Sequence, residues 1–259
     1  MTGLALGANG FAYGADMVTK APPPPPPVAV PGWTGWYIGG SLGYGWGDAS
    51  VGIASGTPVL AALITVGSVP TSLTTDPDGW LTGLQLGYNY QIDKLVLGVE
   101  ADFSLTDISG NAAAAIPGAV LPFALYTTSA EQRLDWLGTL RGRVGFMPIE
   151  RLLVYGTGGL AFGRTDDSAN IRRSAILLNF TVPASESLTQ VGWTAGAGVE
   201  YALTNKWSVK AEYLYYDLGS ATLTGNETPP PLLVATRSAT YTFTTSGSIV
   251  RLGVNLKLN

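Results

Sequence analysis

The sequence contains no cysteine and no histidine among its 259 residues. Without cysteine there is neither a disulfide framework nor a thiolate metal site. Without histidine the chain lacks the side chain that most often acts as a general base or metal ligand near neutral pH. These two absences predict a protein that is not an enzyme and that holds no cofactor and no metal ion.

Charge and long apolar runs are also scarce. Charged residues make up 12% of the chain, against ~25% in soluble domains. The net charge of −4 argues against nucleic acid as a partner. No stretch supplies the ~20 apolar residues of a transmembrane helix, since the best one, from Val51 to Val69, contains Pro58 and several Gly, Ser and Thr.

The chain is nevertheless hydrophobic, with a mean hydropathy of +0.23 and 34 glycines. A hydrophobic chain without hydrophobic runs must distribute its apolar residues by alternation, as the strands of a membrane barrel do. From Trp80 to Tyr90 the even positions are large or apolar except for Thr82, and most odd positions are small or polar. This segment therefore has one apolar and one polar face, over the ~9–11 residues that a tilted strand needs to cross a bilayer.

The same alternation recurs and predicts eight strands. They are Trp36–Trp46, Trp80–Tyr90, Leu95–Thr106, Leu134–Phe146, Leu152–Gly163, Val191–Tyr201, Trp207–Tyr216 and Val250–Leu258. Tight turns join the second strand to the third, the fourth to the fifth and the sixth to the seventh, and the other joins are far longer. Short periplasmic turns and long extracellular loops are typical of outer-membrane barrels. The predicted fold is all-β: an eight-stranded antiparallel, up-and-down transmembrane β-barrel with long extracellular loops and periplasmic termini.

Two strands fit the alternation less simply. In the fourth, the pattern places Leu134 outward and Asp135 inward. In the eighth, the apolar residues Tyr241 and Phe243 fall at positions of the inner face. A bulge at Gly247 is expected to shift the alternation so that both side chains face outward. A soluble lipocalin-like barrel is the alternative, but it would turn its apolar face inward, whereas here the charges share a face with the glycines.

The chain divides into three parts. Residues 1–14 are uncharged and resemble the end of a signal peptide, so they are interpreted as a signal-peptide remnant with a misplaced start codon, or else as a short N-terminal tail. Residues 15–34 hold six consecutive prolines from Pro22 to Pro27 and are predicted to form a semi-rigid periplasmic spacer. Residues 35–259 form the barrel.

Charged residues on the inner face are balanced between acids and bases. They are Glu100, Asp102, Glu200 and Glu212 against Arg141, Arg143, Lys210 and Arg251. Because eight strands enclose a space only wide enough for their own side chains, this balance predicts a charge network that plugs the lumen. An ion path gated by the same charges is the alternative.

Pairing within this network can be predicted only in part. Arg143 is expected to pair with Glu100 or Asp102, since the register between the third and fourth strands is not readable from the sequence. If Tyr201 pairs with Trp207, Glu200 and Lys210 become diagonal neighbours across the third tight turn.

Aromatic side chains concentrate at the predicted strand ends, as interfacial girdles do. The predicted girdle residues are Trp36, Trp46, Trp80, Tyr90, Trp136, Phe146, Trp193, Tyr201, Trp207 and Tyr215.

Several segments resemble one family. Trp136–Gly145, Leu153–Ala161, Trp36–Gly40 and the proline-rich leader after Met17 are similar to the alphaproteobacterial outer-membrane β-barrel family of small porin-like surface proteins. The resemblance implies an abundant protein of the Gram-negative cell outer membrane, with exposed loops and no catalytic residues to carry over.

The last residues are similar to the C-terminal signal read by the barrel-assembly machinery, with Gly253, Leu256 and Leu258 at its positions. The usual terminal aromatic is replaced by Leu258 and a trailing Asn259. Expected partners are therefore this machinery, outer-membrane lipid and lipopolysaccharide.

The long loops are unusually apolar, for instance at Val59–Ile64 and at residues 175–178. They are expected to extend the hairpins above the membrane and to pack on each other, with a surface for an unknown extracellular partner as the alternative. The predicted function is a surface protein that contributes to envelope structure. A narrow porin-like channel for small solutes or ions is the alternative, and a lipid-modifying enzyme is a third hypothesis.

Overall fold

The computed structural model describes residues 32–47, 49–119, 123–176, 179–228 and 236–258. The predicted signal-peptide remnant and the spacer up to residue 31 lie outside this range. So do Leu177 and Leu178 of the apolar loop, and the trailing Asn259. Within the described ranges, no helix is long and apolar enough to span a membrane.

The described residues form ten strands and one short helix. In chain order these are β1 Gly35–Trp46, β2 Ala49–Ser55, α1 Pro58–Thr65, β3 Ser72–Thr75, β4 Asp78–Ile92, β5 Leu95–Pro117, β6 Leu125–Ile149, β7 Leu152–Ser174, β8 Phe180–Ala202, β9 Trp207–Asn226 and β10 Ser238–Lys257. β1 and β4 to β10 pair antiparallel in sequence order, and β1 also pairs with β10, so these strands close into a ring. The predicted eight-stranded antiparallel barrel is confirmed.

Alternation along the strands produces the two surfaces of the wall. On β4, Leu84 and Leu86 are 75% and 47% exposed, while Gln85 between them is 4% exposed. The outer surface is thus apolar and the inner surface polar over the same stretch of strand. This polarity is inverted relative to a soluble barrel and suits a wall surrounded by hydrocarbon.

The two ends of the barrel differ in their connections. At one end, here called the turn end, β4–β5, β6–β7 and β8–β9 are joined by residues 93–94, 150–151 and 203–206. At the other, the loop end, the strands run well past their predicted limits. The joins there shrink to residues 118–124, 175–179 and 227–237, because most of each predicted loop continues the ladder of its hairpin.

The first predicted loop has a different structure. Residues 59–64 lie in α1, which begins with Pro58 in its first turn, where proline is compatible with a helix. β2 pairs with the upper part of β10 and with β3, so this connection also adds two strands to the sheet.

Toward the loop end the ring separates into two sheets. β8 and β9 are paired from Ala202↔Ser208 up to Trp193↔Asp217, and beyond that only the bridge Thr181↔Thr228 joins them. The upper parts of β5 to β8 form one sheet, and β9, β10, β2 and β3 form the other. We call this two-layered region the loop-end sandwich. The open stretch between β8 and β9 is called the β8–β9 seam.

A bulge changes the parity of β6. The register of β6 against β7 shifts between Leu134 and Trp136, which leaves Asp135 unmatched. Leu134 is consequently buried in the interior and Asp135 lies on the outer face, near Arg133 and Arg164. The predicted orientations of Leu134 and Asp135 are therefore wrong, because a bulge moves all residues beyond it to the opposite face.

The bulge predicted at Gly247 is also wrong. β10 alternates without interruption, and Tyr241 and Phe243 face the interior with the same parity as Arg251. The irregularity lies on the partner strand at Leu218, where Gly219 adopts a φ of +81°. The prediction failed because it assumed that apolar residues face outward along the whole strand, whereas the interior of the loop-end sandwich is itself apolar.

A charged substitution on the outer wall tests which side chains of the barrel face the membrane. We expect Leu86→Arg to destabilise the barrel by about 2–4 kcal/mol and to reduce its yield, because it places a cation at mid-wall in hydrocarbon. Ala113→Arg, on the exposed outer face of β5 beyond the wall, is the matched control and should leave both unchanged. Urea unfolding in lipid vesicles measures the difference. Equal stability of the two variants would contradict the assigned faces.

Candidate functional site in the barrel lumen

The structure brings the predicted lumen charges together at the centre of the barrel. All eight are buried, with no more than 7% of any residue exposed. They project from β5, β6, β8, β9 and β10, because inward positions of these strands fall at similar heights in the aligned ladders. The network has four acids and four bases and is therefore neutral.

Arg141 stands at the centre of the network. Its Nη2 donates to Glu100 Oε1 at 2.5 Å and to Asp102 Oδ2 at 2.9 Å, and its Nη1 donates to Glu212 Oε1 at 3.0 Å. Its Nε donates to Thr139 Oγ1 at 2.9 Å. Glu100 lies directly opposite Arg141 in the β5–β6 ladder, whereas Glu212 belongs to β9.

Arg251 on β10 and Lys210 on β9 bind the same acids from the opposite side of the barrel. Arg251 Nε donates to Glu212 Oε2 at 2.6 Å, and its Nη1 donates to Asp102 Oδ1 at 3.1 Å. Lys210 Nζ donates to Glu100 Oε1 at 2.9 Å. Because β1 and β4 separate β10 from β5 in the ring, the contact between Arg251 and Asp102 crosses the lumen.

Arg143 pairs with an acid that the sequence did not assign to it. Its Nη1 lies 3.1 Å from Glu200 Oε2 and 3.8 Å from Glu100 Oε2. Of the two expected partners, Glu100 forms the longer of these two ion pairs, Asp102 forms none with Arg143, and the shorter contact with Glu200 was not predicted. The register explains this, since Arg143 stands opposite Gly98, one step nearer the turn end, where Glu200 also lies.

The predicted offset between β8 and β9 was also wrong. Tyr201 does not pair with Trp207, and Glu200 and Lys210 are directly opposite each other. Lys210 nevertheless reaches across the lumen to Glu100.

Uncharged polar side chains complete the network. Asn89 accepts from Arg143 Nε at 2.8 Å, and the Arg143 guanidinium lies 4.9 Å from the ring centre of Tyr37 and 5.1 Å from that of Tyr155. Asn255 donates to Glu200 at 2.8 Å. The inward parity of these residues is visible in the sequence, but they carry no formal charge and so were not among the predicted site residues.

Trp33 packs into the turn end of the barrel. Sequence analysis assigned Trp33 to the spacer, but its side chain is buried and its backbone N–H donates to Gln91 Oε1 at 2.8 Å. It joins an apolar cluster with Val96, Met147, Leu153, Tyr155 and Ala202. The barrel core therefore includes a residue that precedes β1.

Two further apolar clusters fill the interior on the loop-end side of the charges. The nearer one consists of Leu81, Ile108, Leu134, Leu137, Ala161, Leu214, Tyr216, Leu218 and Ile249. The larger one fills the loop-end sandwich and includes Val51, Ile53, Leu60, Tyr126, Ile171, Phe180, Val182, Leu223, Tyr241 and Phe243. Packed side chains thus interrupt the lumen on both sides of the charge network.

The predicted girdle residues all face outward and form two rings. Those near the turn end are Trp36, Tyr90, Phe146, Tyr201 and Trp207, and those toward the loop end are Trp46, Trp80, Trp136, Trp193 and Tyr215. Trp136 and Tyr215 are half-buried because they pack on Phe103 and Trp193 respectively. Of the predicted assembly positions, Gly253 faces the lumen, Leu256 lies on the outer face, and Leu258 follows β10 and is exposed.

An apolar outer wall between two aromatic rings, around a polar interior, defines a transmembrane β-barrel. The sequence model of the family described as outer membrane protein beta-barrel domain matches residues 25–257. The chain belongs to this family and is a protein of the Gram-negative outer membrane, as predicted.

Relatives of known location agree with this assignment. The 31 kDa outer-membrane immunogenic protein of Brucella melitensis is 38% identical over 215 residues, which cover 82% of this chain and 83% of that protein. The 22 kDa outer membrane protein of Rhizobium leguminosarum is 30% identical over 195 residues, covering 73% and 65%. The crystal structure of OprG from Pseudomonas aeruginosa shares the fold at a TM-score of 0.50 and 14% identity, covering 89% of this chain and 100% of that one.

The pairing of Arg143 yields a quantitative prediction. Arg143→Met should cost about 3–5 kcal/mol, because it leaves Glu200 buried without its partner. Adding Glu200→Leu should restore much of this loss. The coupling energy comes from a double-mutant cycle on urea unfolding in lipid vesicles.

Asp102 provides the control for this cycle, since it contacts Arg141 and Arg251 and forms no ion pair with Arg143. Arg143→Met combined with Asp102→Leu should show weaker coupling than the pair with Glu200. The reverse order would contradict the described pairing.

Proposed function

We propose that this protein is a closed surface barrel that contributes to the structure of the outer membrane and does not conduct solutes. The observation that carries the proposal is the set of ion pairs across the lumen, above all Arg251 with Asp102 at 3.1 Å and Lys210 with Glu100 at 2.9 Å. A solute path along the axis would have to separate these pairs. Separating these pairs would leave buried charges without compensation, which favours the closed state.

Three further features support a closed barrel. The Trp33 cluster packs beneath the charge network, and two apolar clusters pack above it. The eight charges cancel, so the described network has no excess charge that would attract one type of ion. Porin channels have instead a polar interior that is filled with water.

The lumen acids do not form a catalytic arrangement in this proposal. Glu100, Asp102, Glu200 and Glu212 each form an ion pair with arginine or lysine, so their carboxylates are already engaged as acceptors. The relatives named above are described as outer-membrane proteins, which agrees with a non-enzymatic role.

Expected partners follow from the outer surface. The apolar wall is the proposed contact with outer-membrane lipid, and the polar outer face just beyond the loop-end girdle, where Arg133 and Arg164 lie beside Asp135 and Asp166, is the proposed contact with lipopolysaccharide. Gly253, Leu256 and Leu258 on and after the last strand are the proposed contact with the barrel-assembly machinery. Because a relative is named an immunogenic protein, we also propose that the outer faces of the loop-end sandwich are recognised from outside the cell.

Conductance measurements test the closed lumen. Folded protein, verified by heat-modifiable gel migration, should show no stable openings in planar bilayers. Stable openings of large conductance that are altered by Arg143→Met would contradict the closed barrel and support the channel.

A gene deletion tests the envelope role. Loss of the protein should increase sensitivity to detergent with EDTA, and the wild-type gene should restore resistance. Leu86→Arg, which is expected to insert poorly, should not restore it, whereas Ala113→Arg should. Unchanged sensitivity with reduced uptake of a small solute would refute the structural role.

A further inference from the structure

A further buried acid, Asp167, lies outside the charge network. Asp167 on β7 stands opposite Gln132 on β6, and both face the interior between the two loop-end apolar clusters. Asp167 is 1% exposed and Gln132 is 3% exposed. Unlike the lumen acids, Asp167 forms no ion pair with any arginine or lysine in the part of the chain that the structure describes.

The charged residues nearest in sequence do not compensate Asp167. Asp166 and Arg164 have outward parity and lie together on the outer face. Arg173, further along the same inner face, packs over the ring of Tyr126 at 5.9 Å. Glu186, directly opposite Asp167 on β8, is itself acidic and is exposed. Burying an ionised carboxylate without a compensating charge is strongly unfavourable.

Three acceptor oxygens around Asp167 are without donors. Asp167 Oδ1, Gln132 Oε1 and Gln190 Oε1 are buried and have no hydrogen-bond partner among the described residues. The other polar atoms of these side chains are engaged. Thr165 Oγ1 donates to Asp167 Oδ2 at 3.1 Å and accepts from Gln190 Nε2 at 3.4 Å. Gln132 Nε2 donates to Thr245 Oγ1 at 2.7 Å.

The orientation of both amides follows from these contacts. Each NH2 group is directed to a threonine hydroxyl, so each amide oxygen remains as a free acceptor, and the Gln132 amide also lies within hydrogen-bonding reach of the Asp167 carboxylate. A set of carboxylate, amide and hydroxyl oxygens is the donor set that hard cations prefer. Among the described residues that form this site, Asp167 is the one with a formal charge, so a monovalent ion neutralises the site, whereas a divalent ion would leave a positive charge between two apolar clusters.

We propose that Asp167, Gln132, Gln190 and Thr165 form an internal site for a monovalent alkali-metal cation such as Na⁺. The β8–β9 seam provides its entrance, because no residue from 183 to 192 is buried on either face of β8. The exposed carboxylate of Glu186 at this entrance attracts cations. A bound ion would join β6, β7 and β8 at the base of the loop-end sandwich, beside the point where the β8–β9 ladder ends.

Thermal unfolding in different salts tests this site. The full-length folded protein in detergent micelles is compared in sodium chloride and in choline chloride at equal ionic strength. The pH is 8, because burial raises the pKa of Asp167 to about 6 and the carboxyl must be ionised. The melting temperature of the wild type should rise with sodium concentration, and Asp167→Asn should remove the dependence on sodium.

Asp166→Asn is the matched control, since this neighbour lies on the outer face, and it should keep the full sodium effect. Broadening of the ²³Na NMR signal by the wild type, absent with Asp167→Asn, gives a direct binding measurement. If Asp167→Asn fails to fold, Gln190→Leu provides the test instead. It leaves the Asp167 carboxylate in place and should weaken the sodium effect.

Three outcomes would overturn the proposal. The first is equal wild-type stability in sodium and choline chloride, and the second is loss of the sodium effect in Asp166→Asn. The third is stabilisation at pH 5 in choline chloride with no effect of sodium at pH 8, which would show that a proton rather than a metal ion occupies the site.

Discussion

Mutual neutralisation of charge inside a narrow ring is the constraint on which this structure depends. Eight strands enclose only enough space for their own side chains, so bulk water cannot solvate the inward charges. Each must be satisfied by another side chain, and Arg141, with acids from β5 and β9 around it, shows how a single guanidinium meets several carboxylates. The contacts of Arg141 with Glu212, of Arg251 with Asp102 and of Lys210 with Glu100 join strands that are not neighbours in the ring, so they also specify how the barrel closes. Apolar clusters above and below then exclude water from the same ion pairs, which strengthens them.

Most of the barrel was predictable because side-chain alternation is a local property. The parity of each strand identified the charged residues of the lumen and the aromatic residues of the girdles. Their partners were not predictable, since pairing depends on the register between strands that are distant in sequence. Glu200 is an example. Its contact with Arg143 depends on the register of β8 relative to β6, which is set through β7 and is not encoded by any local sequence pattern.

Three other differences between prediction and structure have physical causes of a different kind. Asp135 and Leu218 are the extra residues of two bulges. Beyond each bulge every side chain points to the opposite face of the strand, although the sequence continues to alternate. Tyr241 and Phe243 were difficult because the rule that apolar residues face outward holds only where the surroundings are hydrocarbon. Beyond the girdle the outside is water, so the same residues face inward. Trp33 lacked a periodic context altogether, because it precedes the first strand.

The loop-end sandwich has a consequence for how the exposed part of this protein can vary over evolutionary time. Its inward positions share one apolar core drawn from two sheets, so a replacement there disturbs several hairpins together. The outward positions of the same strands contribute neither to that core nor to the membrane wall. Change can therefore accumulate in alternate residues along each hairpin, which alters the chemistry of the surface while its shape is conserved. Diversity confined to every second position is a different pattern from the hypervariable tips of flexible loops.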